Sequence, residues 1–101
     1  MKLTRYNKIL VDKHANEKYK LSLNHNKKLV IVNIPSEESE LLDFFMDRAN
    51  DNQLLITSRK EVLPSAHYFG LDTCFINDGT NDVVDYPSTY EIYPEAKMLK
   101  K

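Results

Sequence analysis

Thr57, Ser58, Arg59 and Lys60 stand in a row inside QLLITSRKEVLP, residues 53–64, where an apolar run gives way to polar residues. Two hydroxyls and two cations at such a junction are the groups that hold a phosphate-sized anion. Hydroxyls donate hydrogen bonds, a guanidinium grips two oxygens at once, and an ammonium adds a point charge. Ser36, in NIPSEESE, offers another hydroxyl at a similar junction. Ser36, Thr57, Ser58, Arg59 and Lys60 therefore form a candidate anion-binding rim. The competing expectation is a turn in which Thr57 and Ser58 bond to nearby backbone while Arg59 and Lys60 are solvated.

Other chemistry-bearing residues are sparser. Asp72, Asp78, Asp82 and Asp85 gather around one segment, and oxygen-rich loops hold calcium or magnesium. The alternating Asp spacing of a calcium loop is absent, and Asp-Gly and Asn-Asp pairs also build turns. No metal site is assigned, with Asp78 and Asp82 the nearest candidates for one. His14, His25 and His67 have no metal-ligand spacing, and the single cysteine, Cys74, cannot complete a zinc set or an internal disulfide. With Gly70 and Gly79 the only glycines, a phosphate-cradling glycine loop is excluded.

Charge is divided unevenly. Residues 1–33 carry eight basic and two acidic side chains, a net +6, whereas residues 34–101 carry six and thirteen, a net −7. Such a division marks a docking surface for an acidic partner, a route to self-association, or a solvated lysine-rich face. Arg5, Lys8, Lys18, Lys20, Lys27 and Lys28 are the candidate partner-binding residues. Tyr6 and Tyr19 lie among them, and basic groups mixed with aromatic rings also serve single-stranded nucleic acid. No apolar run reaches the ~20 residues that cross a bilayer, so a membrane partner is not expected. MKLTRYNK is followed by no apolar segment of the secretory kind. A reducing cytoplasm is the expected setting, with the chain a monomer or a homodimer.

Two hydrophobic periods organise the chain into one domain. KYKLSLN (18–24) alternates apolar and polar residues, as in a half-buried antiparallel strand, and KILVD (8–12) reads as its neighbour. Residues 1–28 are thus predicted to form a basic antiparallel hairpin. LVIVNI (29–34), LLIT (54–57) and TCFI (73–76) are continuously apolar, as expected of parallel strands covered on both faces. Between the first two lies a helix predicted from Ser36 as N-cap. It carries Leu41, Leu42, Phe45, Met46 and Ala49 on one face and Asp43, Asp47 and Arg48 on the other. Between the second and third, Pro64 suits a first helical turn and Gly70 a left-handed C-cap. Residues 29–76 therefore spell β-α-β-α-β, and the whole is predicted to be an α/β domain with a mixed sheet. Residues 77–101 add a turn, an edge strand within STYEIY (88–93) and a tail.

Residues 28–86 resemble the first half of the core of haloacid dehalogenase-like phosphatases. In that family a strand ends in a nucleophilic Asp, with an acid–base Asp two residues on. A later strand ends in a phosphate-binding Thr or Ser. KLVIVNI is similar to the first strand, and LLITSRKEVLPSAHYFGLDTCFINDG to the second with its helix and following strand. The resemblance implies that Thr57 or Ser58 binds phosphate and that Arg59 matches an arginine of the motif. Asn33, however, stands in the nucleophile's place and Pro35 in that of the acid–base Asp. An amide forms no acyl-phosphate and proline shuttles no proton.

The expected function is therefore a non-catalytic binding, inhibitor or regulatory protein without a cofactor, in effect a pseudo-phosphatase. It would meet an acidic protein partner through its basic N-terminal strands or a sheet edge. The alternatives are a minimal phosphohydrolase, with magnesium at Asp78 or Asp82, and a nucleic-acid-binding protein.

Overall fold

The computed structural model describes residues 5–19, 29–49, 51–77 and 88–92. Five strands form one sheet: β1 (Lys8–Asp12), β2 (Leu29–Val32), β3 (Gln53–Thr57), β4 (Asp72–Ile76) and β5 (Tyr90–Ile92). Their order is β2-β1-β3-β4-β5, and every neighbouring pair is parallel. Among the described residues three helices join the first four strands: α1 (Lys13–Tyr19), α2 (Glu38–Met46) and α3 (Leu63–Tyr68), the last preceded by a 3₁₀ turn at Lys60–Val62.

This arrangement corrects the predicted antiparallel hairpin and mixed sheet. Lys13–Tyr19 is a helix, so the polar HANE segment is not a hairpin loop and the expected strand 18–24 begins inside α1. Residues 20–28 lie outside the described part, as do the DGTND and VVDY segments. The helix has local causes. Asp12 accepts a hydrogen bond from the His14 amide through Oδ1 at 3.2 Å, as an N-cap does. Ala15 and Tyr19, one turn apart, turn toward the same apolar cluster on the sheet. A helical crossover brings the next strand back parallel to the first. KILVD itself carries the sign of a parallel strand, because Ile9, Leu10 and Val11 are consecutive and all buried.

The chain leaves β1 in one direction to form β2 and then returns past it to add β3, β4 and β5. Reversal with crossovers of one hand places α1 on one face and α2 and α3 on the other. Two apolar clusters reflect this. Leu10, Val32, Ile34 and Leu55 meet Leu41 and Phe45 of α2 and Ala66 of α3. Ile9, Val11, Leu54, Ile56 and Cys74 meet Ala15 of α1. Burying a ring the size of Phe45, which is fully enclosed, contributes roughly 2–3 kcal/mol.

Several local expectations agree with the structure. Pro64 lies in the first turn of α3, and Gly70 closes that helix with φ 83°. The 88–93 run supplies the edge strand β5. Others differ. α2 begins two residues after Ser36, with Glu37 at its N-cap position and no side-chain cap. Within the predicted apolar face of α2, Leu41 and Phe45 are buried while Leu42 and Met46 face solvent. Finally, β2 is an edge strand, so Val30 and Ile31 are 40% and 45% exposed rather than covered.

At the amino end of the sheet, Tyr6 is buried and donates to Asp72 Oδ2 at 2.6 Å. Burial and that bond raise its phenol well above the ordinary tyrosine range. Asn52, at φ 56°, turns the chain into β3 and donates to the Arg5 carbonyl at 2.7 Å. No helix among the described residues is long and apolar enough to cross a membrane.

Candidate functional site

In open parallel sheets, ligands bind beyond the carboxyl ends of the strands, where the strand order reverses. Here that point lies between β1 and β3. The register pairs Val11 with Ile56, so the next residues, Asp12 and Thr57, are cross-strand neighbours on one face. The Thr57 hydroxyl donates to Asp12 Oδ2 at 2.8 Å, and both residues are buried. The same hydroxyl oxygen accepts the Arg59 amide at 3.0 Å. A buried carboxylate thus sits at the switch point, held by one hydroxyl and by the His14 amide.

Beside it opens a cleft of about 370 Å³ lined by Asp12, His14, Asn33, Ile34, Ser36 and Arg59. Arg59 forms its far wall. Its Nη1 donates to the Ile34 carbonyl at 2.8 Å, and Nη2 donates to the Pro35 carbonyl at 3.4 Å and Ser36 Oγ at 3.2 Å. Its Nε donates to Glu61 at 3.2 Å. The guanidinium therefore pins the β2–α2 connection to the β3–α3 turn. Few of its five N–H groups are left for an anion. The Glu61 carboxylate is largely exposed, so that ion pair adds at most about 1 kcal/mol.

The predicted rim is brought together in part. Ser36 and Arg59 share the cleft and touch each other. Thr57 lies beneath it, turned to Asp12. Ser58 is half-buried next to Thr57, and Lys60 opens the 3₁₀ turn. Asn77, at the end of β4, is tied to β5 through Glu91. Asp12 shares the cleft with Arg59, and Glu61 pairs with the Arg59 guanidinium. Asp12 is the residue that the strand assignments missed. The predicted hairpin paired its strand with residues 18–24, so nothing set Asp12 beside Thr57. The signal for it was an uninterrupted apolar triplet closed by a carboxylate.

Of the candidate partner-binding residues, Arg5, Lys8 and Lys18 lie at the opposite end. Arg5 and Lys8 precede and open β1, and Lys18 lies in the last turn of α1, which runs back toward that end. All three are exposed, whereas Lys20, Lys27 and Lys28 lie outside the described residues. Arg5 stacks over Tyr6, with its guanidinium carbon 5.3 Å from the ring centroid, and Lys18 lies 5.4 Å from that of Tyr19. Tyr6 is 1% exposed, so its ring offers no face to a nucleobase.

Of the metal candidates, Asp78 and Asp82 lie outside the described residues. Among the described residues no three His, Cys, Asp or Glu side chains gather as a ligand set. Cys74 is buried, and burial pushes its thiol up to about 11, which keeps it protonated and unreactive at neutral pH. No family model matches this sequence, and no curated protein matches it.

Proposed function

We propose that this chain is a non-catalytic binding protein that receives an extended segment of a partner along β2, the end strand of the sheet among the described residues. The observation that carries this reading is the exposure of Val30 and Ile31 on consecutive positions of an edge strand. Consecutive strand residues point to opposite faces, so both sides of the edge offer apolar contact beside its backbone donors and acceptors. An added strand gains main-chain hydrogen bonds from such an edge and specificity from neighbouring side-chain pockets. The carboxyl end of β2 runs into Asn33, Ile34 and Ser36, three residues of the cleft. Lys27 and Lys28 precede β2 in sequence and favour an acidic partner. The strongest groups of the cleft, Asp12 and Arg59, already hold internal partners, which supports recognition rather than turnover.

The test is a photo-reactive residue at position 31, compared with one at Glu91 on β5, at the other end of the strand order, in the native host. A single acidic protein cross-linked at position 31 and not at 91 is the expected result. Equal labelling at both positions defeats the edge reading.

A second reading rests on Asp12 beside Thr57. If the phosphatase resemblance is transferred to β1, Asp12 takes the nucleophile's place, His14 stands two residues on where the family has its acid–base Asp, and Thr57 is the phosphate-binding hydroxyl. Magnesium-dependent hydrolysis of p-nitrophenyl phosphate, abolished by Asp12→Asn, would establish this reading and displace the binding-only one.

A further inference from the structure

α2 and α3 lie side by side on one face of the sheet, and between them runs a second, apolar depression. Leu42, Met46, Pro64, Ser65, Tyr68 and Phe69 line about 420 Å³. Its exposed members are conspicuous: Leu42 is 38%, Met46 59% and Tyr68 80% accessible. Tyr68 stands edge-on against Phe69, with ring centroids 5.0 Å apart, which presents a rigid aromatic wall. Leu42 and Met46 are one helical turn apart and form the facing wall.

The rim of this groove has one sign of charge along α2. Glu38 lies one turn before Leu42 on the same stripe, and Asp43 and Asp47 flank Leu42 and Met46 on the solvent side. All three are exposed. The basic residue that follows the helix, Arg48, is turned away. It donates to the Phe44 carbonyl at 2.8 Å and lies 4.0 Å from the Phe44 ring centroid. Across the groove, Glu61 and His67 are the exposed titratable groups beside Pro64 and Tyr68, and Glu61 pairs with Arg59.

We propose that this groove is a docking site for a basic amphipathic helix of a partner protein. The helix lays an apolar stripe between Met46 and Tyr68 and sets its lysines or arginines against Glu38, Asp43 and Asp47. Two walls of flexible and aromatic side chains match anchors spaced one turn apart on an incoming helix. The acidic rim selects basic flanks and excludes acidic helices by like-charge repulsion. Met46 lets its wall repack around different anchors. This surface is separate from β2, so its failure leaves the edge reading untouched.

The probe is a synthetic leucine–lysine peptide of about 15 residues with helical periodicity, long enough to form a helix once docked. Its controls are a scrambled peptide of equal composition and a leucine–glutamate analogue. Amide and methyl NMR shifts locate the contact, and fluorescence anisotropy measures its strength. The expected result is binding of the periodic basic peptide alone, with shifts centred on Leu42, Met46 and Tyr68. Met46→Lys and Tyr68→Ala each weaken it about tenfold or more, as substitutions at central anchors do. Asp43→Asn with Asp47→Asn flattens its salt dependence. All four positions face solvent, so these variants keep the fold. Equal binding of the scrambled peptide, or shifts centred elsewhere, overturns the proposal. So does a concentration-dependent dimer that Met46→Lys dissolves, because the occupant is then a second copy of this chain.

Discussion

Replacing Thr57 by valine removes one hydroxyl and little else, because the two side chains have nearly the same shape. The hydroxyl sits fully buried between the Asp12 carboxylate, to which it donates at 2.8 Å, and the Arg59 amide, which it accepts at 3.0 Å. Loss of a hydrogen bond to a charged acceptor costs about 1.5–3 kcal/mol, and a neutral one about 0.5–1.5 kcal/mol. The valine variant is therefore expected to lose about 2–4 kcal/mol, a large share of the stability of a small domain. Thr57→Ser keeps the hydroxyl and loses a methyl group, so it costs only about 1 kcal/mol. Urea denaturation followed by far-UV circular dichroism measures both. With a slope of about 1–3 kcal/mol per molar, the valine midpoint falls by roughly 0.7–4 M at unchanged slope. A double-mutant cycle with Asp12→Ala isolates the pair and should return a coupling of about 1.5–3 kcal/mol. If the valine variant is no less stable than the serine variant, or the coupling is near zero, the switch-point bond does not hold the carboxyl ends of β1 and β3 together.

Other perturbations test other parts of the structure. Phe45→Ala empties a fully enclosed site between α2 and the sheet and should cost about 3–5 kcal/mol by thermal or urea unfolding. Arg59→Lys loses the fork that bridges Ile34, Pro35 and Ser36; the amides of Ile34, Ser36 and Glu37 should then exchange with solvent faster while β3 amides stay protected. Cys74 is protonated in the fold up to about pH 11 but ionises near 9 when unfolded. Its contribution, roughly 3 kcal/mol, is complete below pH 9 and lost as pH rises from 9 to 11. Tyr6, whose phenol is also raised, extends the alkaline loss above pH 10. Cys74→Ala should flatten the first part of that profile, and Tyr6→Phe the second, in midpoint-against-pH measurements.

The α/β class, the strands near 8–12, 29–34, 54–57, 73–76 and 88–93, and the helices after Pro35 and Pro64 could be read from local signals. Apolar runs of four to six residues make strands, and an apolar stripe at helical spacing makes a helix. Thr57 and Arg59 could be singled out because hydroxyl and guanidinium chemistry at a strand end does not depend on what lies beside it. The identity of the neighbours was not local. Whether KILVD pairs parallel or antiparallel depends on the connection after it, and Lys13–Tyr19 became a helix because Ala15 and Tyr19 could bury against the sheet. That one choice sets the strand order, leaves β2 at the edge with Val30 and Ile31 exposed, and places Asp12 beside Thr57.

Arg59 shows the same division: its charge was evident from sequence, but its attachment to Ile34, Pro35 and Ser36 required two connections to meet in space. Residue type and short-range period therefore determined which elements form. Long-range packing, in which each strand's two faces must find cover, decided which side chains meet.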